Sequence, residues 1–287
     1  MMAPQNEEDR RFKEQILHVF KFTVRFLQQH GLRYVACGGT VLGAVRHQDF
    51  IPWDDDIDIY MSRQDYERLL DLRDECRREG FDVVSLRDKG YYLPFAKVCD
   101  MHTTLWEEEQ YPFPMGVYVD IFALDNFSCS DAELTAIQRR SLKHFYHYLP
   151  AVTHFSPRLL LQAVHQHQSE TVRQQLLAIV CRPFRRLLLQ RFLNYQRWYS
   201  SFDGEKTVCV TQWAGRIFKR EWFEDVIELP FADTTVVVPR DYDGYLRCLY
   251  GDYMTPPPVE QRVTAHHHYY LNFDERKTLA EIKKLKS

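Results

Sequence analysis

The sequence predicts an α+β fold in which strands and helices interleave, interrupted by one long all-helical segment. Three observations carry that prediction. A small-residue turn, Cys37-Gly38-Gly39-Thr40, joins a short apolar strand to a helix-length run. A little further on, Trp53-Asp54-Asp55-Asp56-Ile57-Asp58-Ile59 alternates acids with apolar side chains, the period-two pattern of a half-buried strand. Residues 131–199, finally, read as helix, with little turn chemistry apart from Pro150, Pro157 and Pro183.

The elements follow in chain order. Phe12, Ile16, Val19, Phe20, Phe26 and Leu27 recur at three- and four-residue spacings, so 12–29 is expected to be an amphipathic helix stopped at His30-Gly31. Residues 32–37 read as a strand, 41–46 as a short helix, and the segment after Pro52 as an acidic strand running through Met61. A helix over 64–78 is closed by Gly80, and 81–86 and 92–98 are strand candidates. The stretch 116–124, Gly-Val-Tyr-Val-Asp-Ile-Phe-Ala-Leu, is the clearest remaining strand, with Asp120 alone among apolar neighbours. After the helical segment, 234–238 is a β-branched strand ending in Pro239, 242–250 a short helix, and 251–258 a rigid extended piece rich in proline.

At 287 residues, with 45% hydrophobic and 14% aromatic side chains, the chain has ample material for an ordered core. A net charge of -3 supplies no global field for nucleic acid. The seven cysteines are scattered without a CxxC pair, which argues for reduced thiols in a cytoplasmic setting and against a disulfide framework or a zinc ribbon. Residues 1–11 are polar, so no signal peptide is expected, and no apolar run approaches the ~20 residues that span a bilayer.

Chemistry concentrates around the two acidic features. In an extended strand Asp54, Asp56 and Asp58 would share one face while Ile57 and Ile59 face the core. Carboxylates that close repel unless a cation compensates, and a hard divalent ion, Mg²⁺ or Mn²⁺, suits oxygen ligands best. The Gly-Gly turn ahead of a helix lets backbone approach a phosphate, whose charge the helix N-terminus favours. Asp120 is expected to face the same ion as a third carboxylate. Cys37 reads as a small buried residue beside the turn rather than a nucleophile, because no base can be assigned to it. His266-His267-His268 is a weak metal candidate, since adjacent side chains diverge and no acid or Cys pairs with them at ligand spacing. In the helical segment Arg139, Arg140, Lys143, Arg158, Arg173, Arg182, Arg185, Arg186, Arg191 and Arg197 face only Asp131, Glu133 and Glu170. Such a face suits an anionic glycan, anionic lipid or nucleotide, and Pro183-Phe184-Arg185-Arg186-Leu187-Leu188-Leu189 suggests contact with a membrane surface.

At these residues the chain resembles the LicD family, which includes bacterial phosphorylcholine transferases and the fukutin-related proteins. The resemblance is carried by Gly38-Gly39-Thr40-Val41-Leu42-Gly43-Ala44-Val45-Arg46-His47 and Phe50-Ile51-Pro52-Trp53-Asp54-Asp55-Asp56-Ile57-Asp58-Ile59. Val119-Asp120-Ile121-Phe122-Ala123-Leu124-Asp125, Tyr245-Leu246 and Tyr250-Gly251-Asp252-Tyr253 complete it. Asp49 stands where the family tends to have Gly, and the 131–200 insertion matches nothing in the family pattern.

The resemblance implies a nucleotidyltransferase-like mixed β-sheet flanked by helices. It divides the chain into a catalytic core over 1–125, a basic helical insertion over 126–205 and a C-terminal part over 206–287 that completes the core. Carried over by position, Asp56, Asp58 and Asp120 are the catalytic carboxylates and metal ligands, and Gly38, Gly39 and Thr40 the phosphate turn. Arg46 and Lys97 are further candidates to bind phosphate; His47 is a weaker one. The implied reaction moves phosphocholine or a similar phospho-alcohol from a CDP-linked donor such as CDP-choline, with Mg²⁺ or Mn²⁺, to a hydroxyl of a surface glycan precursor. That is modification of lipopolysaccharide or teichoic acid, carried out in the cytoplasm, with peripheral contact to the inner membrane through 131–200 and no nucleic-acid partner. Tyr91, Tyr92, Trp106, Tyr111, Phe113 and Tyr118 could cage a quaternary ammonium, though aromatics so dense are more often core. The alternative is a nucleotidyltransferase acting on a sugar phosphate or small molecule with release of pyrophosphate; a degenerate binding module and a scaffold rank below both.

Overall fold

The computed structural model describes residues 7–200, 202–212, 214–262, 264 and 268–286. Helix α1 (Glu7–Gln29) opens with Glu7, Glu8 and Asp9 in the first turn, where the helix dipole favours acids. It buries Phe12, Ile16, Val19, Phe20, Phe22, Phe26 and Leu27 along one stripe. Gly31 (φ 63°) closes it in the left-handed conformation that an L side chain resists, and Leu32 N–H returns to Leu27 O at 2.9 Å. The helix begins five residues before the expected start because charged residues, invisible to an apolar pattern, make its first turn.

Strand β1 (Val35–Ala36) leads into α2 (Gly38–Arg46), then β2 (Asp58–Ser62). Helices α3 (Arg63–Asp71) and α4 (Arg73–Arg78) divide at Leu72 what the sequence pattern joins. Strands β3 (Phe81–Val84), β4 (Ala96–Asp100), β5 (Thr104–Trp106) and β6 (Tyr118–Phe127) follow. The chain then runs through α5 (Asp131–Tyr148), α6 (Pro157–His165), α7 (Ser169–Cys181) and α8 (Arg185–Tyr199). It returns as β7 (Lys206–Val208), β8 (Phe218–Lys219), α9 (Glu221–Glu224), the hairpin β9 (Val226–Phe231) and β10 (Thr234–Pro239), α10 (Tyr242–Tyr250), β11 (Tyr270–Asn272) and α11 (Leu279–Leu285). This is the mixed sheet with flanking helices that the sequence predicts.

The sheet order is β1-β2-β6-β4-β3, with β7 added to β6 and β8 to β7. Among the described strands of this sheet, β2 and β6 are parallel and the other pairs antiparallel. Strand β6 is the backbone of the arrangement. Its first seven residues, Tyr118 to Leu124, pair with β2 and β4, and its last three residues, Asp125 to Phe127, pair with β7. The helical run α5–α8 therefore leaves the sheet after Phe127 and re-enters it at Lys206. Fully buried Val119, Ile121, Ile57 and Ile59 form the centre of the core, reached from outside by Phe20 and Phe26 of α1.

One expectation needs correction. The acidic strand does not extend back to Asp54: residues 54–57 are loop, and β2 begins at Asp58. A turn closed by Asp54 N–H on Ile51 O (2.8 Å) precedes it, and β1 offers partners only to Ile59 and Tyr60. Asp54, Asp56 and Asp58 thus do not share a strand face by periodicity. Of the histidine triplet, His266 and His267 lie outside the described residues, and the described His268 packs its ring on Phe12.

Candidate active site

Register places the central side chains. Asp58, first in β2, pairs with Asp120 of β6, and Asp120 pairs with Lys97 of β4. Cys37 N–H donates to Asp58 O at 3.0 Å, extending the row toward β1. Residues opposite one another on neighbouring strands project to the same face, so Cys37, Asp58, Asp120 and Lys97 form one transverse row. Asp58 is locked at the end of its strand by two backbone anchors: its N–H donates to Thr40 Oγ1 (2.9 Å) and its carbonyl accepts from Cys37.

The row is short of positive charge. Lys97 is the cation, buried to 1% exposure, with Nζ 2.8 Å from Asp120 Oδ1, 3.3 Å from Glu107 Oε1 and over the Tyr118 ring at 3.2 Å. Burial alone would pull the ammonium pKa down, but Asp120 and Glu107 more than offset it and raise it. Glu107 is held the other way: burial pushes its carboxyl up, and Lys97 with the Tyr118 and Tyr92 hydroxyls brings it below the ordinary value. Asp58 has no such support. Burial drives its carboxyl well above the ordinary range, the neighbouring Asp56, Asp120 and Asp54 add to it, and Lys97 only partly opposes them. Its Oδ1 is buried without a hydrogen-bond partner among the described residues. Cys37 is pushed up likewise, by burial and then by Asp58, so its thiol stays protonated and is no nucleophile.

The Gly38-Gly39 turn packs onto these acids. Gly38 has φ 54°, and a Cβ there would meet Asp58 Oδ2 and the Tyr250 hydroxyl, both at 3.7 Å. A Cβ on Gly39 would fall 2.4 Å from Asp54 Oδ2, so only glycine lets the Asp54 carboxylate lie against the start of α2. That helix has no side-chain cap from Cys37, and its dipole favours an anion at this end. Gly38 N–H donates instead to Tyr245 of α10 at 3.0 Å.

The predicted residues thus divide. Asp58 and Asp120 are paired across β2 and β6; Asp56 acts on Asp58 from the preceding loop; Gly38 and Gly39 face Asp58 and Asp54. Thr40 turns its hydroxyl to the Asp58 backbone instead of presenting it to a phosphate. Lys97 is committed to two carboxylates. Arg46 lies at the far end of α2, its Nη1 donating to Tyr253 O (2.7 Å), its Nε bonded to His47 Nε2 (3.0 Å) and its guanidinium over Trp53 at 5.9 Å. Arg262 covers the same ring at 5.2 Å. The six aromatics form no open cage: Tyr91, Tyr92, Trp106, Tyr111 and Tyr118 are buried, with Tyr92 stacked on Tyr111. Glu107, Tyr245 and Tyr250 were not foreseen as site residues. Glu107 sits in an ordinary-looking Glu-Glu-Glu run whose inward member only the fold selects.

Among the described residues, no three His, Cys, Asp or Glu side chains stand ready to hold a metal ion. The pair Asp58–Asp120 nonetheless fits a divalent cation: oxygen donors, a deficit of positive charge and one orphaned buried oxygen. No described helix is long and apolar enough to cross a membrane. All seven cysteines are free thiols.

Comparison with known proteins agrees with this geometry. Residues 31–155, which contain the whole transverse row, match the family model described as LicD/FKTN/FKRP, nucleotidyltransferase domain. The chain is 25% identical over 252 residues, 87% of its length and 92% of the relative's, to the lipopolysaccharide cholinephosphotransferase LicD of Haemophilus influenzae. It is 42% identical over 53 residues, 18% of its length and 11% of the relative's, to the human ribitol 5-phosphate transferase FKRP. An uncharacterized protein of Rickettsia prowazekii shares 35% over 68 residues, 24% of this chain and 26% of that one. The domain match over residues 31–155 and the near full-length relative make this chain similar to LicD-family proteins, with the aspartate row inside the matched domain.

Proposed function

We propose that the chain is a transferase that moves a phospho-alcohol, phosphocholine or a close analogue, from a CDP-linked donor to a hydroxyl of a surface glycan precursor, with Mg²⁺ or Mn²⁺. The observation that carries the reading is Asp58: a carboxylate oxygen buried without a donor, on the residue paired in register with Asp120. Leaving such a group unpaired costs a few kcal/mol, and selection retains that cost where a ligand removes it. The relatives named as cholinephosphotransferase and ribitol 5-phosphate transferase support phospho-alcohol transfer to a glycan as the reaction class. A nucleotidyltransferase domain supports a nucleotide leaving group on the donor.

Asp58, Asp120 and Asp56 would hold the metal, which when bound supplies Lewis acidity toward donor phosphate oxygens. The rest falls to the chain's own groups. Lys97 Nζ stands 2.8 Å from Asp120 Oδ1, a contact that occupies this carboxylate and favours a holding role for Asp120 over proton abstraction. Thr40 and Cys37 fix the Asp58 backbone, so the carboxylate does not have to be organised when the donor arrives. The start of α2 presents a positive dipole end to the donor's phosphates beside the Tyr250 hydroxyl. The acceptor oxygen forms the new P–O bond, the bond to CMP breaks, and the acceptor proton is released.

Incubating the protein with CDP-linked donors, a glycan acceptor and Mg²⁺ while following CMP tests the reading. CMP release that stops with EDTA and resumes with Mg²⁺ or Mn²⁺ is expected. Pyrophosphate release from a free nucleoside triphosphate, without CMP from any donor, would replace the transferase by a nucleotidyltransferase.

A further inference from the structure

Helices α6 to α8 are built unlike the rest of the molecule. Residues 157–199 contain seven arginines and one acid, Glu170, which is already bonded to Arg173 at 2.6 Å. Across α7, the 3-10 turn Arg182–Phe184 and α8 the chain keeps a helical course, with right-handed backbone angles at Cys181, Arg182 and Arg185. Along that course Arg173, Leu176, Val180, Phe184, Leu187 and Arg191 recur every three or four residues, the spacing of one helical face. The apolar members are exposed: Leu176 by 49%, Val180 by 61%, Phe184 by 56% and Leu187 by 67%. On α6, which packs against α7, Leu161 and Val164 are exposed by 71% and 54%. Soluble surfaces seldom carry that much contiguous apolar side chain without a partner.

We propose that this face docks on an anionic lipid bilayer, with Leu176, Val180, Phe184 and Leu187 entering the interface and Arg186 and Arg191 reaching the headgroups. Charge decides between occupants. A second copy meeting this face would bring arginines against arginines, and an anionic polymer would leave the leucines and Phe184 in water. A lipid surface satisfies both, since arginine lays its stem along apolar surface and keeps its head among phosphates. The proposal rests on this helical segment alone and is independent of the transfer chemistry.

Co-sedimentation of the full chain with vesicles tests it, comparing phosphatidylcholine alone with phosphatidylcholine containing phosphatidylglycerol. Binding is expected only with the anionic vesicles, falling as salt rises, and weakened roughly fivefold by each of Arg186→Glu and Arg191→Glu. Phe184→Ser with Leu187→Ser should abolish what binding remains at higher salt, while CMP release in solution stays at the wild-type level. A wild-type chain left in the supernatant with anionic vesicles at low salt would overturn the proposal. So would sedimentation velocity showing a dimer that Phe184→Asp with Leu187→Asp splits, together with no vesicle binding; that result would assign the face to a second copy.

Discussion

Strand β6 carries two buried aspartates five residues apart whose surroundings are opposite. Asp125 meets Arg63 of α3 in a two-pronged pair, Nε to Oδ1 at 2.9 Å and Nη2 to Oδ2 at 2.7 Å, with the half-exposed Glu67 Oε1 a further 3.7 Å from Nη1. Asp120 shares the single buried Lys97 with Glu107 and stands beside Asp58, whose neighbours Asp54 and Asp56 add further negative charge. The same residue type on the same strand is closed in one place and open in the other. A closed pair holds α3 to the sheet and asks nothing of a ligand. An open cluster keeps an unsatisfied charge where something positive can bind, so the local surplus of carboxylate, not burial alone, separates chemistry from architecture.

The comparison breaks first at the open end. Asp58→Asn and Asp120→Asn should each lower CMP release by about 10³-fold or more, the scale of removing a group that organises charge at the reacting phosphate. Asp58→Asn should at the same time leave the metal-free fold as stable as wild type or more so, because it deletes a buried charge that has no donor. Full activity in both variants would show that the open cluster is ornamental. Thermal unfolding with and without Mn²⁺ gives a readout separate from turnover: the metal should raise Tm in wild type and not in Asp58→Asn.

At the closed end the expected loss is in stability. Arg63→Leu leaves Asp125 buried without its partner, a change that costs about 3–5 kcal/mol in comparable pairs. Urea denaturation should show that loss, while the fraction that folds keeps wild-type CMP release. Arg63→Leu combined with Asp125→Leu should recover much of the stability, since two apolar side chains need no partner. Loss of activity without loss of stability in Arg63→Leu would mean that the two ends of β6 are not distinct after all.

How much of this distinction the sequence showed depends on range. The glycine turn, the helix at 242–250 and the apolar run around Asp120 were legible because each is local: spacing and residue type within one element define it. That Asp120 lies beside Asp58 was expected from pattern, but its register rests on a parallel pairing across some sixty residues of chain, which no local period reveals. The acidic strand was read too long, because alternation continues through a turn just as it does through a strand, and only the two-residue length of β1 limits the ladder. Lys97 was legible as a cation near the site but not as the partner of two carboxylates; whether a lysine faces solvent or two carboxylates is set by tertiary burial. Glu107 gave no signal apart from its neighbours Glu108 and Glu109, both of which are less enclosed.

A gentler test uses protons. The Asp58 carboxyl is raised above the ordinary aspartate value of about 3.9 that it regains on unfolding. Between that value and its native one the folded state binds more protons than the unfolded state, so this group makes stability fall as pH rises through the window. Outside the window, where both states are protonated or both ionised, it contributes no slope. Urea midpoints of metal-stripped protein should therefore show wild type losing ground to Asp58→Asn as pH climbs from about 4 toward neutrality. A constant difference across the range would mean that the Asp58 carboxyl is not raised.

The smallest effect is expected at Tyr245, which links the two halves of the site from outside the sheet. Its hydroxyl accepts Gly38 N–H at 3.0 Å, and its ring is fully buried among Phe218, Trp222 and Phe223. Tyr245→Phe keeps the ring and removes only the acceptor, leaving one backbone donor at the start of α2 unsatisfied, for about 1 kcal/mol. If that donor merely needs a partner, stability falls by that amount and turnover does not change. If the bond also holds Gly38 at φ 54° against the Asp58 carboxylate, KM for the donor should rise several-fold with kcat little changed, because the turn would no longer be organised before the phosphates arrive. The split between KM and kcat separates a structural hydroxyl from a positioning one. A loss confined to kcat would fit neither and would place Tyr245 nearer the chemistry than its 3.0 Å contact with the turn implies.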